Sequence, residues 1–178
     1  MNALIQFLTY FRMIVGPIIF ILILYLDQHG LALILFFLAS ISDFFDGFLA
    51  RRYNLASELG EILDPIADKV LLVFLLITIS VVTQSIFVTF MCCTLIAREF
   101  WVSALRDFNS RNMNTSATKV TFLAKLKTSS QFIAILIYLL SFYNGNELIQ
   151  FIGNFVLFLS LVLSIKSAIQ YSVDTFNK

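Results

Sequence analysis

Apolar residues run along this chain in six long blocks, separated by short polar breaks. The blocks occupy about residues 8–26, 30–52, 57–82, 85–109, 119–142 and 147–171. An α-helix rises about 1.5 Å per residue, so about 20 apolar residues cross a hydrocarbon core of about 30 Å. The breaks are Asp27-Gln28-His29-Gly30, Arg51-Arg52-Tyr53-Asn54, Thr83-Gln84-Ser85, Asn109 to Thr118, and Tyr143-Asn144-Gly145-Asn146-Glu147. Such Gly, Asn, Ser and Asp clusters are turn chemistry. The pattern predicts an all-α integral membrane protein, a bundle of six transmembrane helices forming one domain over residues 1–178. No internal repeat or low-complexity tract interrupts it. Pro17 falls inside the first block, where it can kink the helix, and Pro65 near the start of the third.

Composition sharpens the class. The chain of 178 residues is 60% hydrophobic and 13% charged, with a mean hydropathy of +0.92. A soluble domain carries about 25% charged residues. The N-terminus lacks a basic region and a small-residue cleavage site, so the first block is expected to be retained rather than cleaved as a signal peptide. All 12 basic residues fall at or near one set of block ends, and the three opposite breaks contain none. The positive-inside rule then sets both termini in the cytoplasm and the protein in the cytoplasmic (inner) membrane. Cys92 and Cys93 lie inside the fourth block and read as small apolar fillers. Nothing in the chain calls for a nucleic-acid partner.

The costly residues are acids. Asp43, Asp46, Asp64 and Asp68 flank the break between the second and third blocks, at the cytoplasmic side. On helices, residues three or four apart share a face, so each pair presents two carboxylates together. A single acid at membrane depth costs about 2.5–3.5 kcal/mol on insertion scales. Hard oxygen ligands so grouped suit Mg²⁺ or Mn²⁺, and four carboxylates are enough for two ions. Gly47, Ala50 and Gly60 are small, permitting close helix approach or room for a flat ligand. Arg51 can pair bidentately with a phosphate. Single acids at helix ends are ordinarily solvated caps, and intramembrane acids also mark ion or proton pathways. A transporter requires acids through the membrane depth, whereas the outer half holds only Asp27 and Glu147, both in breaks.

The run Asp43-x2-Asp46-Gly47-x2-Ala50-Arg51-x8-Gly60-x3-Asp64-x3-Asp68 resembles the signature of the CDP-alcohol phosphotransferase family at every defined position. The six-helix plan resembles that family along nearly the whole chain. The resemblance implies transfer of a substituted phosphate from a CDP-linked alcohol to a second alcohol, releasing CMP. It implies Asp43, Asp46, Asp64 and Asp68 as metal ligands, with Asp68 also the general base on the attacking hydroxyl. Gly47, Arg51 and Ser57 match positions that contact the cytidine diphosphate, with Ala50 and Gly60 beside them. Gln6, Thr9 and Arg12 fall in the segment that lines the nucleotide site in relatives, although Arg12 serves equally as an interfacial anchor. The family also implies a homodimer.

The second half resembles one branch of that family, the bacterial phosphatidylglycerophosphate synthases. The carriers are Ile96-Ala97-Arg98-Glu99-Phe100 with Ser103-Ala104-Leu105-Arg106, and Leu123-Ala124-Lys125-Leu126-Lys127-Thr128. Ala124 stands where glycine is common in that branch. The resemblance implies CDP-diacylglycerol as donor and glycerol 3-phosphate as acceptor. Glu99, Ser103 and Arg106 are spaced to share one helix face, and Arg98, Arg106, Lys125 and Lys127 are the candidate acceptor-phosphate ligands. The same residues at helix ends also read as cytoplasmic anchors. Glu99 is expected to orient a neighbouring arginine rather than touch substrate. Other acceptors, namely phosphatidylglycerol, inositol phosphate or serine, belong to the same chemistry. Trp101 and the 20 Phe read as lipid-facing and packing residues.

Overall fold

The computed structural model describes the backbone of residues 2–53, 58–112 and 122–176, and the side chains of residues 7–42, 63–112 and 126–176. Six helices follow one another: α1 (Asn2–Leu24), α2 (His29–Tyr53), α3 (Glu58–Thr83), α4 (Ile86–Arg111), α5 (Phe122–Asn144) and α6 (Glu147–Phe176). Among the described residues there is no strand. The turns at 25–28, 84–85 and 145–146 match expected breaks, whereas α2 runs on through residues 51–53 and α4 through residues 109–111, positions expected in breaks; α1 begins at Asn2 and α6 continues to Phe176. An apolar block marks the stretch that suits a bilayer, whereas a helix persists as long as its backbone hydrogen bonds are made.

Among the described residues, five helices are long and apolar enough to cross a membrane. In α2 the described residues are apolar over His29–Ser42, and its helix runs on through the positions of Asp43, Asp46 and Arg51 to Tyr53. Large apolar side chains face outward throughout: Ile86 is 89% exposed and Phe151 69%. In water such a surface would drive association; against acyl chains it is at equilibrium. This is a multi-pass membrane protein.

The helices form two compact units, Met1–Val82 and Thr83–Lys178. In the first, α1 packs on α2. Val15, Ile19, Leu22 and Ile23 of α1, Ala32, Phe36 and Ala39 of α2, and Leu71, Leu75 and Ile79 of α3 are buried, at the three- and four-residue spacing of helix faces. The α1–α2 turn takes Asp27 into the left-handed region (φ 51), where Asp is tolerated better than most residues. Gln28 N–H then donates to the Leu22 carbonyl at 2.9 Å.

Gly16 sets how closely α1 approaches α3. A Cβ built there would stand 3.1 Å from Leu71 Cα and 3.5 Å from the Val70 carbonyl oxygen. Both are backbone atoms and cannot swing aside. Gly16→Val is therefore expected to destabilise the first unit by about 1–3 kcal/mol, the usual cost of overpacking. An unchanged melting temperature in detergent would show that α1 and α3 are not in this close contact.

In the second unit, α5 and α6 form a hairpin and α4 packs along α6. Gly145 makes the hairpin turn with φ 62, and Asn146 Oδ1 caps α6 by accepting from Leu148 N–H at 2.9 Å. The buried face of α6 comprises Gly153, Leu157, Ser160, Leu161, Ser164, Ser167, Tyr171 and Thr175. Small residues at such spacing let membrane helices approach closely. Gly153 lies against the Tyr138 ring of α5, whose hydroxyl bonds Asn154 Oδ1. Cys92 is buried and Cys93 exposed, both as free thiols.

Candidate functional site

The two carboxylates described on α3 are both engaged by α1. Thr9 and Arg12 lie one turn apart on α1, as Asp64 and Asp68 do on α3, so two side chains of each helix can meet. Thr9 Oγ1 donates to Asp64 Oδ1 at 2.6 Å. The Arg12 guanidinium spans the pair, with Nη2 3.3 Å from Asp64 Oδ1 and Nη1 2.5 Å from Asp68 Oδ1. Arg12 is 1% exposed, while the Asp64 and Asp68 side chains are 39% and 46% exposed. The arginine therefore braces the acids from inside, and their open side faces outward. A surface anchor needs neither this burial nor these partners.

This geometry suits a hard cation. Two aspartates one turn apart, half-exposed and held by a hydroxyl and a guanidinium, supply oxygen donors of the kind such a cation takes. No group of three or more His, Cys, Asp or Glu comes together among the described residues. The side chains of Asp43 and Asp46, which would complete such a set, lie outside the described residues. So do those of Gln6, Gly47, Ala50, Arg51, Gly60 and Lys125, and the whole of Ser57.

The second unit carries a buried polar seam. The inward face of α4 is Val88, Met91, Cys92, Leu95, Arg98, Val102, Leu105 and Asn109. Arg98 thus lies on the packed stripe, which the Glu99-Ser103-Arg106 spacing did not indicate. It is 7% exposed and donates through Nε to the Ser164 carbonyl at 3.0 Å and through Nη2 to Ser167 Oγ at 3.0 Å. Its Nη1 donates to Glu99 Oε1 at 3.2 Å. Lys127 of α5, also buried, donates to that same Glu99 oxygen. Arg106 donates through Nη2 to the Tyr171 hydroxyl at 3.0 Å, with its guanidinium carbon 5.1 Å from the ring centroid. Asn109 Nδ2 donates to Thr175 Oγ1 at 2.8 Å. Trp101 is half-exposed and bonds Ser172 Oγ at 3.0 Å.

Three of the four expected acceptor cations, Arg98, Arg106 and Lys127, therefore lie along one seam, and Glu99 orients an arginine as expected. It also holds a lysine. No motif in the sequence singles out the α6 partners Ser164, Ser167, Tyr171 and Thr175. Their three- and four-residue spacing in an apolar helix was the available signal.

The family model described as CDP-alcohol phosphatidyltransferase matches residues 3–166. The chain is 37% identical over 167 residues to the CDP-diacylglycerol–glycerol-3-phosphate 3-phosphatidyltransferase of Escherichia coli (strain K12), covering 92% of this chain and 90% of that protein. The enzyme of the same name from Shigella flexneri is similar to the same extent, 37% over 167 residues. The match includes the helices that carry Thr9, Arg12, Asp64 and Asp68 and those that carry Arg98, Glu99 and Lys127, and the chain belongs to the CDP-alcohol phosphatidyltransferase family.

Proposed function

We propose that this protein transfers the phosphatidyl group of CDP-diacylglycerol to glycerol 3-phosphate, giving phosphatidylglycerophosphate and CMP. The observation that carries the reading is the pairing of Thr9 and Arg12 with Asp64 and Asp68, in a chain similar throughout to transferases of that name. One substrate is a lipid and the other is water-soluble, as a multi-pass membrane protein with half-exposed carboxylates would require.

In this reading Asp43, Asp46, Asp64 and Asp68 would hold Mg²⁺ or Mn²⁺, two ions on family likeness. Such ions, when bound, stabilise negative charge on a transferring phosphoryl group and its leaving oxygen. Asp68 accepts the proton of the acceptor's primary hydroxyl, which attacks the phosphorus bonded to diacylglycerol. Arg12 fixes the direction of that carboxylate. Gln6, Thr9, Gly47, Ala50, Arg51, Ser57 and Gly60 line the donor site, and Arg98, Arg106, Lys125 and Lys127 take the acceptor phosphate. The burial of Arg98 and Lys127 strengthens their preference for a dianion over a neutral alcohol. The chain crosses the cytoplasmic (inner) membrane six times with both termini cytoplasmic, acts as one domain, and works as a homodimer.

Purified protein given CDP-diacylglycerol, labelled glycerol 3-phosphate and Mg²⁺ tests this. The expected result is a labelled anionic lipid with equimolar CMP. Label reaching lipid only from phosphatidylglycerol, inositol phosphate or serine would replace the acceptor. No CMP release with any alcohol would remove the activity.

A further inference from the structure

Two cations of the seam share one carboxylate oxygen. Arg98 Nη1 and Lys127 Nζ both donate to Glu99 Oε1, and all three side chains are largely buried: 7% exposed for Arg98, 14% for Glu99 and 6% for Lys127. The charges do not cancel. Two positive groups against one negative leave an excess positive charge among apolar helices, where uncompensated charge is costly. An arginine has five N–H donors and a lysine three. Described contacts engage three on Arg98 and one on Lys127. Each cation thus keeps two N–H groups for an anion, and their spacing is set by the oxygen between them. Arg98 is also held from the other side by the Ser164 carbonyl and Ser167 Oγ, so of the two cations Lys127 depends more on Glu99.

We propose that Glu99 is a positioning residue: it holds Arg98 of α4 and Lys127 of α5 side by side as a two-pronged receptor for the acceptor's phosphate. This rests on the functional reading above and adds a part to it. Without the carboxylate, the two cations repel each other and the ammonium loses its anchor. Simple charge counting predicts the opposite outcome, since removing a negative group should make the seam more attractive to an anion. The two views therefore differ in sign.

The test is steady-state kinetics of Glu99→Gln, with glycerol 3-phosphate and CDP-diacylglycerol varied separately. KM for glycerol 3-phosphate is expected to rise about tenfold or more, the loss of about one charge-assisted hydrogen bond, with KM for the donor lipid unmoved. Glu99→Asp, which keeps the charge on a shorter stem, should fall between. In a Lys127→Met background the Glu99→Gln change should add little further, because the carboxylate acts through the lysine. An unchanged or lowered acceptor KM overturns the proposal, as does full multiplication of the two effects in the double variant. Should Glu99→Gln fail to fold, Glu99→Asp decides alone: a raised acceptor KM supports the proposal and an unmoved one overturns it. A wild-type protein that ignores glycerol 3-phosphate overturns the functional reading and this inference together. Wild-type turnover with an unmoved acceptor KM in Glu99→Gln overturns the inference alone.

Discussion

Asp68→Asn is expected to reduce phosphatidyl transfer by about 10²–10⁴-fold, the usual worth of a general base, while the protein still binds CDP-diacylglycerol. Asparagine keeps the size of the side chain and can still accept a hydrogen bond from Arg12 Nη1, so the α1–α3 contact survives. It cannot accept the hydroxyl proton of the acceptor at neutral pH. Radiolabelled turnover and a donor-induced thermal shift together separate the two effects. Retention of more than about a tenth of wild-type turnover, less than one factor of ten in rate, would remove Asp68 as the base. A lost thermal shift would instead assign the residue to donor binding.

Arg12→Ala is expected to act on stability and activity together. Its guanidinium is buried and binds two carboxylates, so truncation removes a cationic partner from both acids at once. Hydrogen bonds to charged groups contribute about 1.5–3 kcal/mol; the fully buried limit of about 3–5 kcal/mol for a broken ion pair is too high here because both aspartates are half-exposed and solvent screens them. Turnover should fall further, by about 10²-fold, the cost of about 1 Å misplacement at a reacting group. Arg12→Lys restores charge but not the span across Asp64 and Asp68, since an ammonium is a point charge where the guanidinium is a fork. It should recover stability more than rate. A variant that loses neither melting temperature nor turnover would return Arg12 to the role of an interfacial anchor.

Much of this is legible in the order of residues alone. Six helices followed from the apolar blocks because a bilayer demands a minimum length and leaves few other backbone solutions. The spacing of the aspartate run is legible because it is a local property, written directly in the order of residues, and its described half, Asp64 and Asp68, meets α1 as one pair. Thr9 and Arg12 were only half legible. A threonine and an arginine three apart are common at membrane edges, and their contact with α3 joins residues 55 and 56 positions apart.

The seam of the second unit was the least legible part. Ser160, Ser164 and Ser167 are fully buried, yet small polar residues in an apolar helix look like packing filler. What gives two of them meaning is Arg98, whose α6 acceptors lie 66 and 69 positions away. The spacing of Glu99, Ser103 and Arg106 suggested a shared face, but the packed stripe runs through Arg98 and Asn109 instead. A helical wheel fixes which residues can share a face; the neighbouring helix decides which face is buried.

The α4–α6 contacts also impose an order on biosynthesis. Arg98, Arg106 and Asn109 find their partners in Ser164, Ser167, Tyr171 and Thr175 at separations of 65 to 69 residues. Their partners are therefore made long after α4 has left the ribosome. A nascent α4 carries two arginines and an asparagine whose α6 acceptors do not yet exist, so it is a poor candidate for release into lipid on its own. The α4–α6 seam can therefore close only after the second half of α6 has been made, so α4 and α6 must be brought together late, whatever order the other helices follow.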